Sequence, residues 1–406
     1  MDLNSIFENT DFVHTSGTKE ELQVAYYLKE QCEKMGVTAN LESFRVSMST
    51  IKKANLLADG QEISCKAFKG CGSGIVEGEL YYMPGTDPVS IAGTADKIVL
   101  LDTSNVSFFT YQDLIKAGAK AILFRYGDAH YPNEDIDQRE LRENVVGKSP
   151  KILCAMINVH QAVKLVKNEV KAIRLEMEQD EYDGESHNVI AELPGKREEW
   201  IVLSAHYDST SLSHGAYDNM SGCAGLLGIM EKLKDKELNY GLRFLFCGSE
   251  ECGLLGSKAY VQDHEEELEH IVLNLNLDMI GTYMGQFIAC VSAEDKLVHY
   301  ISYMSAETGF PINAKMGVYS SDSTPFADKG VPALSFARIA HTVVAPIHCR
   351  YDLKEVLSMK QLQKDIDFLA DFTERFAKAV VCPVSRQIPE KVKEELDEYL
   401  FRKRKQ

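Results

Sequence analysis

The sequence predicts an α/β protein: a three-layer domain with a mostly parallel central sheet flanked by helices, plus an inserted smaller mixed-β domain. Three observations predict it. After "HNVIAELPGK" (187–196), buried-strand and amphipathic-helix patterns take turns, and such alternation builds βαβ units and hence a parallel sheet. From about Ile51 to about Glu178 the texture changes to short β-like pieces broken by Gly and Pro. Ahead of that change stand one helix pattern and one strand pattern.

The elements follow in order. In "SGTKEELQVAYYLKEQCEKMGV" (16–37), Leu22, Ala25, Tyr26, Leu28 and Cys32 recur at helical spacing and Gly36 stops the helix. "TANLESFRV" follows as a strand. The middle segment carries "GELYYMPGTDP", "KIVLLDTS" and "AGAKAILFRYGD", strand-like runs with turn residues between them. Then "EWIVLSAHYDS" reads as a strand, "SGCAGLLGIMEKLK" as a helix, "GLRFLFCGSEE" as a strand and "GLLGSKAYVQDH" as a helix. "HIVLNLNLDMIG" (strand), "DKLVHYISYMSAETG" (helix) and "GVPALSFARIA" (strand) continue the series. The tail "PEKVKEELDEYLFRKRKQ" reads as a charged, solvated surface helix ending in a basic cluster.

At 406 residues the chain is long enough for two or three domains. A formal net charge of −17 argues against nucleic acid or an anionic membrane as the main partner. There is no apolar run of roughly 18 residues, so no transmembrane helix is expected. The opening "MDLNSIFENTDF" lacks the basic and apolar regions of a signal peptide. Ten cysteines stand singly, without a CxxC pair, and read as reduced thiols. A cytoplasmic protein is the resulting expectation.

In open parallel sheets, ligands gather beyond the carboxyl ends of the strands. His206 and Asp208 follow "IVLSA", Asp218 precedes a helix, and Glu250 and Glu251 follow "RFLFCGS". Asp278 follows "VLNLNL", and His348 lies in "APIHCRYD" after the last strand. Two histidines with three carboxylates are too anionic for a structural zinc site, which usually closes with thiolates. They suit a pair of divalent ions sharing a bridging carboxylate and an activated water. Asp218 as bridge leaves His206 and Asp278 for one ion, and Glu251 and His348 for the other. The adjacent Glu250 is then a general base, since neighbouring residues leaving a strand point in different directions. Asp208 is placed to hold the second ring nitrogen of His206. Taken singly, each of these residues is more often an ordinary surface acid, helix cap or hydrogen-bonded histidine. Their joint occurrence at successive strand ends gives the metal reading its weight.

The motifs "SAHYDS", "AYDNMSGCAG", "GSEECGLLGSKAYV", "NLDMIG" and "SSDSTPFADKGVPALSF" resemble those of the di-zinc exopeptidases of the aminopeptidase S and aminopeptidase Y type, relatives of glutamate carboxypeptidase and the transferrin receptor. The resemblance covers roughly residues 186 to 380 plus the N-terminal helix and strand. It implies zinc ligands at His206, Asp218, Glu251, Asp278 and His348, with Glu250 as catalytic base. His348 is preferred over His341 because Asp352 follows it closely. Many members carry a tyrosine directly before the last histidine, as an oxyanion donor, where this chain has Ile347; Tyr351 and Tyr319 are the candidates to replace it. The middle segment resembles a protease-associated domain. The implied plan is residues 1–50 as the N-terminal part of the peptidase domain, 51–178 as the insert, 179–382 as the catalytic di-zinc domain, and 383–406 as a charged helix or tail.

The expected function is therefore a zinc-dependent aminopeptidase acting on peptides with two Zn²⁺ ions per chain. Carboxypeptidase or small-amide hydrolase action on the same scaffold is the alternative, because Arg338 and Arg350 flank the site in sequence and a carboxypeptidase needs arginines for the substrate carboxylate. A non-catalytic binding protein would be expected to have lost ligands, and none is missing here.

Overall fold

The computed structural model describes residues 2–404. They form two compact units, one made of the segments up to Val46 and from Glu185 onward, the other of Ser47–Gly184. The divisions fall inside the long strands Ala39–Ala58 and Ala172–Leu193.

In the larger unit, α1 is Lys19–Lys34, with Thr18 accepting the Glu21 N–H at 3.2 Å as N-cap and Val24, Ala25, Leu28 and Cys32 as its buried stripe. The elements that follow are β1 (Ala172–Leu193, of which the part from Glu185 belongs here), β2 (Trp200–His206), α2 (Ser221–Leu233), β3 (Gly241–Cys247) and α3 (Leu255–Asp263). Then come β4 (Ile271–Leu277), β5 (Gln286–Ser292), α4 (Asp295–Thr308), β6 (Asn313–Met316), α5 (Ser323–Asp328) and β7 (Ala333–Ile339). Two helices close the chain, α6 (Met359–Ala377) and α7 (Glu390–Tyr399).

The sheet order is β6-β5-β7-β4-β2-β3-β1. The four middle strands β7, β4, β2 and β3 are parallel, while β1 and β5 run antiparallel to their inner neighbours. Alternation along each strand makes the layers. Ile201, Leu203, Phe244, Phe246, Leu275 and Phe336 face one core, shared with Leu28 of α1, Leu226 of α2, Ile301 of α4 and Ile366 of α6. Val202, Leu245, Cys247 and Ala333 face the other, shared with Tyr260 of α3, Phe326 of α5 and Leu396 of α7. Polar strand residues on the second face bond to one another, Ser204 donating to Asn276 at 2.9 Å and Asn274 to Ser204 at 3.0 Å.

Helix α7 corrects the sequence expectation of a solvated surface helix. Val392 and Leu396, one turn apart, are buried against Tyr260 and Phe326. Full burial of two such side chains is worth about 1.5–3 kcal/mol each, so the charged faces of α7 conceal a docking stripe. Lys405 and Gln406 of the basic tail lie outside the described residues.

Within the inserted unit the strands are ordered Cys65–Ala67, Leu153–Asn158, Ala121–Tyr126, Lys97–Leu101, Gly74–Met83 and the first part of Ala172–Leu193. Its four middle strands are parallel, and helices such as Pro88–Ala92 and Phe108–Ala117 stand between them in sequence.

One topological feature places the site. The chain steps from β2 outward to β3, then returns to the far side of β2 as β4. Loops leaving β2 and β4 therefore diverge, and a crevice opens at their carboxyl ends.

Candidate metal centre

His206 is the last residue of β2, Asp278 directly follows β4, Glu250 and Glu251 lie just beyond β3, and His348 lies beyond β7. Asp218 comes from the loop that starts α2. That loop reaches β4 because Gly222 has no side chain: a Cβ there would stand 2.5 Å from the Leu277 carbonyl oxygen. Asn219 then ties both loops, donating to Leu277 O at 2.9 Å and accepting Met279 N–H at 3.0 Å.

Two groups of ligand atoms result, His206 with Asp218 and Asp278, and Asp218 with Glu251 and His348. Asp218 belongs to both. Its Oδ1 lies 3.2 Å from His206 Nε2 and its Oδ2 3.0 Å from His348 Nε2. His348 Nε2 is also 2.9 Å from Glu251 Oε1, and His206 Nε2 is 3.9 Å from Asp278 Oδ1. Asp278 Oδ1 is buried and has no hydrogen-bond partner among the described residues. A buried carboxylate oxygen facing an imidazole nitrogen beyond bonding distance fits a cation between them. Glu250 belongs to neither group, although its Oε2 lies 3.9 Å from His206 Nε2.

Buried acids hold these groups in place. Asp208 Oδ1 and Oδ2 accept the backbone N–H groups of Glu250 at 2.8 Å and Glu251 at 3.1 Å. Asp208 Oδ1 also faces His206 Nδ1 at 3.4 Å, so one carboxylate fixes the ring and the glutamate pair together. Asp352, fully buried, accepts Tyr217 N–H at 2.7 Å and Asp218 N–H at 3.3 Å, which anchors the Asp218 loop. In the sequence, Asp352 serves only to identify His348, which it follows closely; its positioning contact is visible only in the fold. Glu21, buried beside Ser249, is missed by the sequence reading altogether.

The electrostatics follow from crowding Asp208, Asp218, Glu250, Glu251 and Asp278 around His206 and His348. Burial opposes imidazolium charge, yet Glu250, Asp208 and Asp218 raise His206, and Glu251 and Asp218 raise His348, both well above the ordinary value. Burial works upward on Asp218 too, but the two histidines outweigh it and hold this acid below the usual range. Asp278 is pushed up to about 8 by burial and by Asp218, Asp322 and Glu251, against His206. Burial, then Glu251, Asp322 and Asp278, raise Glu250 well above its ordinary value against the pull of His206. Divalent cations would reverse the balance on their ligands, favouring neutral imidazoles and ionised carboxylates.

The remaining candidates separate clearly. His341 is exposed and its Nδ1 accepts Val343 N–H at 3.2 Å. Arg338 is committed elsewhere, donating to Asp365 at 2.8 and 2.5 Å and to Gly285 O at 3.1 Å. Ile347 is half-buried and Tyr351 is exposed. Burial, then Asp278 and Asp218, raise the Tyr319 phenol above its ordinary value.

The comparisons with known proteins agree with one another. Residues 188–373 match the model of peptidase family M28. Aminopeptidase YwaD of Bacillus subtilis is 27% identical over 342 residues, 79% of this chain and 71% of the relative. Leucine aminopeptidase 2 of Trichophyton rubrum is 42% identical over 97 residues, 23% of this chain and 20% of the relative. Among solved structures, BSAP, a zinc aminopeptidase from Bacillus subtilis, matches with a TM-score of 0.78 at 22% identity over 96% of this chain and 97% of that one. An aminopeptidase from Aneurinibacillus sp. strain AM-1 matches with a TM-score of 0.73 at 22% identity, covering 94% and 95%. At that identity these two likenesses establish the fold.

Proposed function

We propose that this protein, whose residues 188–373 match the model of peptidase family M28, is a zinc-dependent aminopeptidase that removes N-terminal residues from peptides. The observation carrying this reading is Asp218, which turns one oxygen toward each of two histidines, each group being completed by another carboxylate. His206, Asp218 and Asp278 would hold one zinc ion, and Asp218, Glu251 and His348 a second. Such a pair, when bound, polarises the scissile carbonyl and makes a water acidic near neutral pH.

The chain's own residues do the rest. Glu250 receives the proton of the attacking water and returns it to the departing amine, which suits a carboxylate outside both ligand groups yet within 3.9 Å of His206. Asp208 keeps His206 turned with Nε2 toward Asp218 and holds the Glu250–Glu251 backbone. The surplus of carboxylates draws in the substrate's ammonium group. Arg338, bound to Asp365, is not available to a C-terminal carboxylate, which leaves the exposed Arg350 as the one arginine of the carboxypeptidase alternative.

We read the inserted unit as protease-associated-like, on its "KIVLLDTS" and "AGAKAILF" runs. The ten cysteines form no disulfide, and this supports a reducing, cytoplasmic setting. No helix among the described residues is long and apolar enough to cross a membrane. The acidic balance of −17 disfavours nucleic acid as a partner.

The test is a matched substrate pair. A fluorogenic peptide with a free N-terminus is expected to be cleaved at least about 100-fold faster than its N-acetyl twin, by analogy with the loss when a buried charged partner goes unpaired. Equal rates would instead support the amidase or carboxypeptidase reading.

A further inference from the structure

The segment before α1 and the first turn of that helix reach the catalytic edge, at a place the reaction as described does not use. Glu21 is 2% exposed. Its Oε1 accepts from Ser186 Oγ at 2.8 Å, Ser249 N–H at 3.0 Å and Ser249 Oγ at 3.1 Å. Its Oε2 accepts Gly17 N–H at 2.7 Å. Ser16 Oγ adds a contact to Ser249 Oγ at 2.6 Å.

Ser249 is the residue immediately before Glu250, and its backbone has φ 56°, a left-handed conformation that costs a non-glycine residue energy unless its surroundings hold it. Asp208 takes the next two backbone N–H groups, those of Glu250 and Glu251. Three consecutive N–H groups of one turn thus end on two buried carboxyls from elements distant in sequence. A helix-start glutamate with only a capping role would turn back to its own helix; Glu21 spends three of its four contacts on Ser186 of β1 and on Ser249 beyond β3.

We propose that Glu21 is a positioning residue for catalysis: it fixes the turn that aims Glu250 at the reacting water. This rests on the reading of Glu250 as the general base. The geometry gives the proposal its scale, since loss of an outer hydrogen-bond partner at a metal site typically costs roughly 10–100-fold in activity.

The experiment compares E21A, E250Q and the E21A/E250Q double variant, each with its zinc content and kinetic constants measured. E21A is expected to lose roughly 10–100-fold in kcat, with KM changed less than about threefold and zinc retained. In the E250Q background the same change is expected to cost less than about twofold, because there is no base left to aim. If E21A does not fold, E21D carries the test. Aspartate is well tolerated in a first helical turn, but its shorter side chain cannot span Gly17 and Ser249 together, so the same loss of kcat is expected. A kcat within twofold of wild type in the folded variant overturns the proposal. So does an equal loss in both backgrounds, or a loss reversed by added zinc. An active E250Q single variant would instead overturn the base assignment itself, and the two failures are read from different proteins.

Discussion

Glu250→Gln is expected to lower kcat by about 10²–10⁴-fold, the usual contribution of a positioned general acid–base group, while zinc content stays at the wild-type level. Glutamine fills the same volume, so the packing around a carboxyl that burial has already pushed above its ordinary range is preserved. The bond that holds this residue's backbone, Glu250 N–H to Asp208 at 2.8 Å, does not involve the side chain and survives. What is lost is the capacity to accept a proton. Steady-state kinetics with elemental analysis on the same preparation check this result. An E250Q enzyme with near wild-type turnover would take Glu250 out of the reaction, whereas loss of metal together with activity would make it a ligand.

Asp218→Ala is expected to reduce bound zinc to near zero and activity to that of chelator-treated wild type. The other ligands are each assigned to one ion, but Asp218 contributes to both groups, with Oδ1 toward His206 and Oδ2 toward His348. Removing it leaves two ligands per ion, and the carboxylates Asp278, Glu250 and Glu251 then face two imidazoles without their central bridge. Loss of only one ion in D218A would mean that the two groups are independent sites and that Asp218 does not bridge. The measurement is zinc per chain by elemental analysis, with refolding monitored by circular dichroism so that a folding failure is recognised as such.

Much of the catalytic region was legible in the sequence because its physics is local. Strands β2, β3 and β4 are mostly apolar runs, broken only by Ser204, Arg243, Asn274 and Asn276, as suits strands buried on both faces, and a site residue stands at the end of each or just beyond it: His206, the Glu250–Glu251 pair and Asp278. The juxtaposition of His206, Asp218 and Asp278 follows from strand order, and strand order follows from the alternation of strand and helix. Helix α6 was equally readable, with Leu362, Ile366, Leu369 and Phe376 on one buried stripe and Ser358 as N-cap, yet it lies in a stretch the motif argument passes over. Strands β5 and β6 were harder. Residues 313–316 make an edge strand of partly exposed residues, and nothing in "NAKM" alternates strongly enough to mark it.

The positioning acids were not legible, for a different reason. Glu21 and Asp352 act through hydrogen bonds to backbone N–H groups 228 and 135 residues away in the chain. Such contacts leave no spacing pattern, since a backbone donor is the same whatever residue carries it. Asp208 was found only because it stands two residues from a ligand. The buried stripe of α7 was masked by charge: Val392 and Leu396 are its buried positions, and composition outweighs a two-residue signal.

The central claim is that His206, Asp218, Glu250, Glu251, Asp278 and His348, brought from five places in the chain, meet around a pair of ions bridged by Asp218. Zinc counted per chain on freshly purified wild-type protein, before and after dialysis against a chelator and after zinc is restored, tests it most directly. The expected result is about two zinc ions per chain, activity lost with them and recovered with them. A fully active protein that holds no zinc, or a single ion that alone restores full turnover, would contradict it.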